Sequence, residues 1–360
     1  MTRALLKTLR LPFESIRTIY AGQGEVRLYR NEITGVEQVG KRVSALGLEK
    51  ASVFREARVL QALRHDHLVP ILDVAVVEPV EDKLIQTIEM IIPYYPRGSI
   101  CDALLRGEQF TIAESVQFVR DGLQGLDELH ERQRLIHRDM KSPNILIDDR
   151  GRGRVGDLGI AIPMSDDGTA EAFHTTQIYA APEIFTTQQV DRRTDLYGIG
   201  LVLFELLNGR LPYDEYDTDS IVKRLEKGQR PIKKAHLVQR PIVPPRIRQV
   251  INKAIAVDPA ERYATSRQML AAIDQAPFID WRLIQNEDAV KVWEGATLAE
   301  PKIQYRVTAT KAKRGSEWKL LGQKHINAWQ RCVEDQTVPG PAGVKATAFF
   351  DQIVRHATNL

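Results

Sequence analysis

The segment Leu135–Asp148, LIHRDMKSPNILID, restricts the fold more than any other stretch of this 360-residue chain. Asp139, Lys141 and Asn144 crowd polar and charged groups just ahead of the apolar triplet Ile145–Ile147. A turn rich in Asp, Arg and Gly follows, and Asp157 stands 13 residues beyond Asn144 within VGDLGIA (Val155–Ala161). So short an apolar run, bounded by turn residues, reads as a strand. A β-hairpin entered at Asn144 and left at Asp157 would place an amide oxygen and a carboxylate at one end of a cleft. Hard oxygen ligands of this kind suit Mg²⁺ carrying nucleotide phosphates. Asp139 would then accept a proton from an attacking hydroxyl, while Lys141 offsets charge on a transferred phosphoryl group.

The pattern around this segment divides the chain. Residues 15–20 and 25–30 read as short strands flanking Ala21-Gly22-Gln23-Gly24, with another strand near Glu37–Val43. Residues 50–63 place Val53, Ala57, Leu60 and Leu63 near one face of a helix. Val69–Val77 and Leu84–Ile92 return to strand character, and from Ile112 helices dominate, at 112–129, 194–207, 244–256 and 264–273. A β-rich part followed by a helical part implies an α+β fold of two lobes with a cleft between them. All four tryptophans (Trp281, Trp293, Trp318, Trp329) lie beyond residue 280. Residues 281–360 hold 12 Lys/Arg against 8 Asp/Glu, leaving 38 against 39 for the remainder. These shifts set a boundary near 271–285. The expected division is an amino-terminal extension over 1–14, a main domain over 15–275 and a carboxy-terminal module over 276–360.

Composition excludes several classes. An apolar fraction of 43% with 27% charged residues is that of a globular protein. Lys+Arg of 50 against Asp+Glu of 47 gives a net charge of +3, which argues against nucleic acid as a partner. Cys101 and Cys332 have no ligand-spaced companions, so neither a zinc site nor a disulfide framework is expected. The apolar runs near Met90–Pro93 and Leu201–Leu207 are too short to span a bilayer. The start, MTRALLKTLRLPF, lacks the clean apolar stretch and small-residue cleavage site of a signal peptide. The expected compartment is the cytoplasm.

HRDxKxxN, then Asp-x-Gly, then TTQIYAAPE at 175–183 resembles the eukaryotic-type (Hanks-type) serine/threonine protein kinases, as also found in bacteria, over about residues 15–270. The resemblance implies a bilobal kinase fold with an amino-terminal lobe over 15–93, a hinge over 93–98 and a helical lobe over 99–275. By it, Asp139 is the catalytic-loop aspartate and Lys141 its serine/threonine-type partner. Asn144 and Asp157 are the metal ligands, with Leu158 in place of the usual Phe. His137 would pack beneath the loop near Leu158 and Leu60. Lys41, in EQVGKRV, corresponds to the lysine that pairs with nucleotide phosphates, and Glu56 to the helix glutamate that holds it. The implied small molecules are ATP and Mg²⁺, with Mn²⁺ as a substitute, and the implied partner is a protein carrying Ser or Thr.

The phosphate-covering loop departs from the family pattern. Aligning Val26 with the valine of GxGxxGxV leaves Gly24 at the third glycine, while Ile19 and Ala21 occupy the first two. Side chains there limit how closely backbone approaches phosphate. In the hinge, Pro93 has no N–H to donate, so the backbone of Tyr95 becomes the expected donor to adenine. Asp157 to Glu183 has the length of an activation segment and includes Ser165, Thr169, Thr175 and Thr176. Thr169, then Thr175, are the regulatory candidates, and Arg138 is the residue that would pair with a phosphorylated loop. Thr176 matches the threonine that hydrogen-bonds near Asp139 and Lys141. Glu183 with Arg262 resembles a buried ion pair, and Asp195 the helix aspartate that orders the catalytic loop.

Residues 281–360 match no family pattern. Gln304–Thr310 alternates like a strand, Arg314-Gly315 suggests a turn into another, and His325–Val333 and Thr347–Ala357 read as helices. A small α+β module, or an extension packed on the large lobe, would regulate the enzyme or contact its substrate. The alternative to an active kinase is a weakly active or inactive pseudokinase serving as a nucleotide-binding scaffold through this module.

Overall fold

The computed structural model describes residues 12–21, 25–44, 61–77, 87–158, 161–172, 177–313 and 315–358. The chain forms two compact bodies. One comprises residues through Pro96 with Gly156–Gly159; the other comprises Arg97–Val155 and the chain from Ile160 onward. They correspond to a β-rich lobe and a helical lobe that also carries a small β/α module.

The first body is an antiparallel sheet of β1 (Phe13–Ala21), β2 (Glu25–Asn31), β3 (Glu37–Ser44), β4 (Asp73–Val77) and β5 (Thr87–Pro93), in the order β1-β2-β3-β5-β4. Asn31 makes the β2–β3 turn, because its side-chain oxygen accepts from the N–H of Ile33 (3.0 Å) and of Thr34 (2.9 Å). Tyr29 donates its hydroxyl to Glu89 at 2.5 Å, and Gly40 lies against both groups. A β-carbon at residue 40 would overlap them, so this close approach requires glycine. Burial of the hydroxyl and the adjacent carboxylate push the Tyr29 pKa up to about 12. The strand anticipated from Val69 begins only at Asp73. Pro70 lacks the N–H that an earlier ladder bond would need, although Val69 and Ile71 are buried. The helix anticipated over 50–63 lies mostly outside the described residues.

The second body begins with α1 (Ile100–Leu105) and α2 (Ile112–Asp127). Thr111 and Glu114 close a reciprocal cap on α2, with the Thr111 hydroxyl accepting from Glu114 N–H and the Glu114 carboxylate accepting from Thr111 N–H. The short strands β6 (Leu135–Ile136), β7 (Ile145–Ile147), β8 (Gly153–Val155), β9 (Ile162–Pro163) and β10 (Ala170–Glu171) follow. Next come α3 (Pro182–Thr186), β11 (Gln189–Val190), α4 (Arg192–Asn208), α5 (Thr218–Glu226), α6 (Pro245–Ala254) and α7 (Ser266–Asp274). β7 and β8 pair antiparallel, which is the hairpin anticipated between Asn144 and Asp157. α4 is buried from Thr194 through Leu207 and forms the axis of this body.

The carboxy-terminal module contains β12 (Arg282–Asn286), β13 (Val290–Gly295), β14 (Gln304–Lys311), β15 (Trp318–His325), β16 (Trp329–Arg331), β17 (Gln336–Val338) and α8 (Val344–Thr358). The antiparallel sheet runs β12-β13-β14-β15-β16, with β17 also on β15. α8 covers one face, and Phe350 stands edge-on to both Trp281 and Trp293 at 5.4 Å. Two polar contacts tie the module to the helices: Asp280 accepts from Ala113 N–H at the start of α2 (2.9 Å), and Arg248 of α6 pairs with Asp351 of α8 (2.5 Å). The helix anticipated over His325–Val333 is instead the β15–β16 hairpin, in which His325 pairs with Trp329 and Gln323 with Arg331. The three-residue connection 326–328 permits that pairing, and cross-strand partners override local helix preference.

Phe350→Ala removes the ring shared by the two tryptophans and is expected to cost about 3–5 kcal/mol. Urea denaturation followed by circular dichroism measures the loss.

Candidate active site

In the first body, Lys41 on β3 pairs in register with Val26 on β2 and Met90 on β5. Its ammonium forms an ion pair with Asp157. Asp157 adopts φ 56°, a left-handed backbone conformation that is uncommon away from glycine. Tyr95 lies in the connection that follows β5. Gly24, Glu56, Leu60, Gly159, Thr175 and Thr176 lie outside the described residues.

In the second body, Asp139, Lys141 and Asn144 meet on one loop. The Lys141 ammonium lies 2.7 Å from Asp139 Oδ2. Asn144 Nδ2 donates to the Asp139 carbonyl at 2.7 Å and to its Oδ2 at 3.1 Å. The amide nitrogen is thereby committed to the loop, and the amide oxygen is the end suited to a cation. Ser142–Asn144 forms a single tight turn with Pro143 at its centre and feeds directly into β7. His137 is fully buried, and its Nδ1 accepts from Asp139 N–H at 3.2 Å.

Arg138, immediately before Asp139, adopts φ 68°. Asp195 on α4 holds this strained turn: its two oxygens accept from His137 N–H (2.9 Å) and Arg138 N–H (2.8 Å). The His130 imidazole adds a third contact at 2.7 Å. Gly198, one turn farther along α4, packs against the Met140 carbonyl so closely that a β-carbon would overlap it.

A second carboxylate on α4 reaches the same loop. Glu205, fully buried, accepts from Ser142 Oγ (2.8 Å), Tyr213 OH (2.7 Å), Leu211 N–H (2.8 Å) and Tyr179 OH. Burial and this carboxylate push the Tyr179 and Tyr213 pKa values up. The cluster joins the loop that carries Asp139 both to Tyr179 and to the Leu211–Tyr213 stretch that follows α4. No motif spacing in the sequence marks this cluster. Its signal was a carboxylate within an otherwise apolar, helix-length run, since an ionic group there needs dedicated partners.

Glu183 and Arg262 form a buried bidentate pair at 2.8 and 2.7 Å. Thr194 donates to the same glutamate, while Arg262 also donates to the carbonyls of Ala256, Arg193 and Val257. Between β9 and β10, Ser165 and Thr169 both donate their hydroxyls to Asp167, at 2.5 and 2.7 Å. Those bonds draw the Asp167 pKa down to about 2. Arg138 donates to the Glu171 carbonyl at 3.2 Å, two residues beyond Thr169.

The protein kinase domain model matches residues 14–275. The chain is 30% identical over 255 residues to serine/threonine-protein kinase PrkC of Bacillus subtilis (strain 168), covering 69% of this chain and 37% of that protein. It is 28% identical over 229 residues to serine/threonine-protein kinase 12 of Arabidopsis thaliana, covering 62% of this chain and 48% of that protein. The chain thus matches less than half the length of either relative.

Arg262→Ala strands the buried Glu183 charge and is expected to cost about 3–5 kcal/mol, read as a lowered denaturation midpoint. Gly198→Ala forces the Met140 backbone away from α4. It is expected to lower turnover more than it lowers Tm, a contrast checked by assaying both on one preparation.

Proposed function

The chain belongs to the protein kinase family, and on that premise we propose that it is a serine/threonine protein kinase transferring the ATP γ-phosphoryl group to protein hydroxyls. The observation that carries this reading is the fixed Asp139–Lys141–Asn144 unit. A carboxylate oriented by an ammonium and an amide can accept the substrate proton as the hydroxyl oxygen bonds to phosphorus and the bond to the ADP oxygen breaks. Lys141 then offsets the charge gathering on the transferred group.

Asn144, through its amide oxygen, and Asp157, through its carboxylate, supply the oxygen chemistry that a hard divalent ion takes, Mg²⁺ or in its place Mn²⁺. Such an ion, when bound, neutralises phosphate charge. On this reading Lys41 offers the cation for the nucleotide phosphates, with Val26 and the Tyr95 backbone beside the nucleotide; Glu56 and Gly24, the anchor and loop glycine that the kinase resemblance implies, lie outside the described residues. We place the kinase domain at 15–275, with a hinge at 93–98, and the module at 276–360. No helix among the described residues is long and apolar enough to cross a membrane. Both cysteines are free thiols, which suits the cytoplasm.

Thr169 is the proposed regulatory acceptor. Its hydroxyl is tied to an ionised Asp167, so a phosphate there would face a like charge and open the 165–169 turn toward Arg138. Thr175 is the second candidate, and Thr176 the threonine that defines hydroxyl specificity.

Asp139→Asn is expected to slow transfer by about 10²–10⁴-fold. Intact mass and site mapping after incubation with Mg-ATP and a Ser/Thr peptide library measure it. Equal incorporation by wild type and variant would overturn the assignment of Asp139. Tight nucleotide binding without any transfer by the wild type would favour the scaffold reading.

A further inference from the structure

Phosphoryl transfer leaves unused the sheet face of the carboxy-terminal module that points away from α8. Residues directly opposed in an antiparallel ladder share a face. The ladder therefore sets Arg282, Glu294, Arg306, Gln323 and Arg331 in one row across five strands. Gln304, His325 and Trp329 form the next row. The opposite face carries Trp293, Val307 and Gly322, and Gly322 lies against Ile353 and Phe349 of α8. All the residues of the two outer rows remain partly or fully exposed.

Three of these side chains cluster, with Arg306 over the Trp329 ring and the His325 ring tilted 52° to it. The Arg306 guanidinium lies 3.9 Å from the centroid of the Trp329 ring, and the His325 ring is 5.0 Å from Trp329. Glu294 anchors Arg306 through Nε at 2.6 Å. Asp335 holds both Lys319 (2.9 Å) and Arg331 (3.1 Å). Two carboxylates thus orient three cations, and Arg282 makes no ion pair among the described residues. Residues 302–331 carry eight Lys/Arg against the single acid Glu317. The near-neutral balance of the whole chain conceals this local excess.

We propose that this face binds single-stranded nucleic acid, with bases on the Arg306–Trp329–His325 shelf and phosphates along Arg282, Arg331 and Lys319. Cation rows beside planar stacking groups suit a strand of unpaired nucleotides. An acidic peptide would use the charge but not the shelf. Gln304 and Gln323 add donors and acceptors that tolerate any base edge. The proposal is independent of the kinase reading, because no residue of the proposed phosphoryl-transfer site lies on this face.

The test is fluorescence anisotropy of a labelled oligouridylate 12-mer titrated with the full chain at several salt concentrations, with a poly-glutamate peptide as competitor. Trp329→Ala is expected to weaken binding about tenfold, while Trp329→Phe retains most of it. The Arg282→Gln/Arg331→Gln double variant is expected to reduce the salt slope by about 1.4. Glu294→Gln is expected to tighten binding by removing the one carboxylate in the strand rows, a gain that a misfolded variant would not produce. Three results would overturn the proposal: no binding by wild type at low salt, equal competition by poly-glutamate, or affinity unmoved by all these variants. The last would assign binding to the other basic stretch, residues 223–253, which holds ten Lys/Arg against Glu226 alone. Unchanged kinase activity in each variant separates this face from the phosphoryl-transfer site.

Discussion

Asp195 is almost completely buried, and its carboxylate is satisfied by two backbone N–H groups and an imidazole. A carboxylate so deep is costly unless every partner is in place, and breaking such a set is strongly destabilising. Two of those partners are the successive backbone amides of His137 and Arg138, which flank the His137 α-carbon. The unfavourable left-handed turn at Arg138 is held from beneath by α4 and sets the direction in which Asp139 leaves it. The position of Asp139 is therefore a property of a helix buried along its length and depends little on the exposed surface.

α4 contributes at three levels along its axis. Asp195 fixes the backbone before Asp139, Gly198 allows Met140 to lie against the helix, and Glu205 gathers Ser142 with Tyr179 and Tyr213. Each contact reaches a different residue of the same short loop. The loop is held at several points by buried groups of α4, which is how a rigid scaffold would keep Asp139 within the narrow tolerance that the proposed transfer demands. Glu183 and Arg262 perform a related task for α3 through a fork geometry that lysine could not reproduce.

The β-rich first part, the 145–155 hairpin and the helix α4 were legible because they rest on short-range pattern. So were the charged groups of the loop, whose spacing of two and three residues gathers them whatever the surroundings. The convergence on Glu205 was not legible, since Ser142, Tyr179 and Tyr213 come from three separate segments and carry no mutual spacing signal. The β15–β16 hairpin was misread as a helix because its pairing partner lies across only a three-residue turn and local preference points the other way. Net charge is likewise blind to local distribution. It averages the excess over 302–331 with acids elsewhere in the chain.

The placement of the aromatic residues has one more consequence. Every tryptophan lies beyond residue 280, and Trp281, Trp293 and Trp318 are packed into the module core. Residues 1–280 absorb in the near ultraviolet through tyrosine and phenylalanine alone. Light absorbed only by indole therefore interrogates the last 80 residues and is blind to the rest. The molecule carries a built-in optical label that separates the melting of the module from that of the kinase domain.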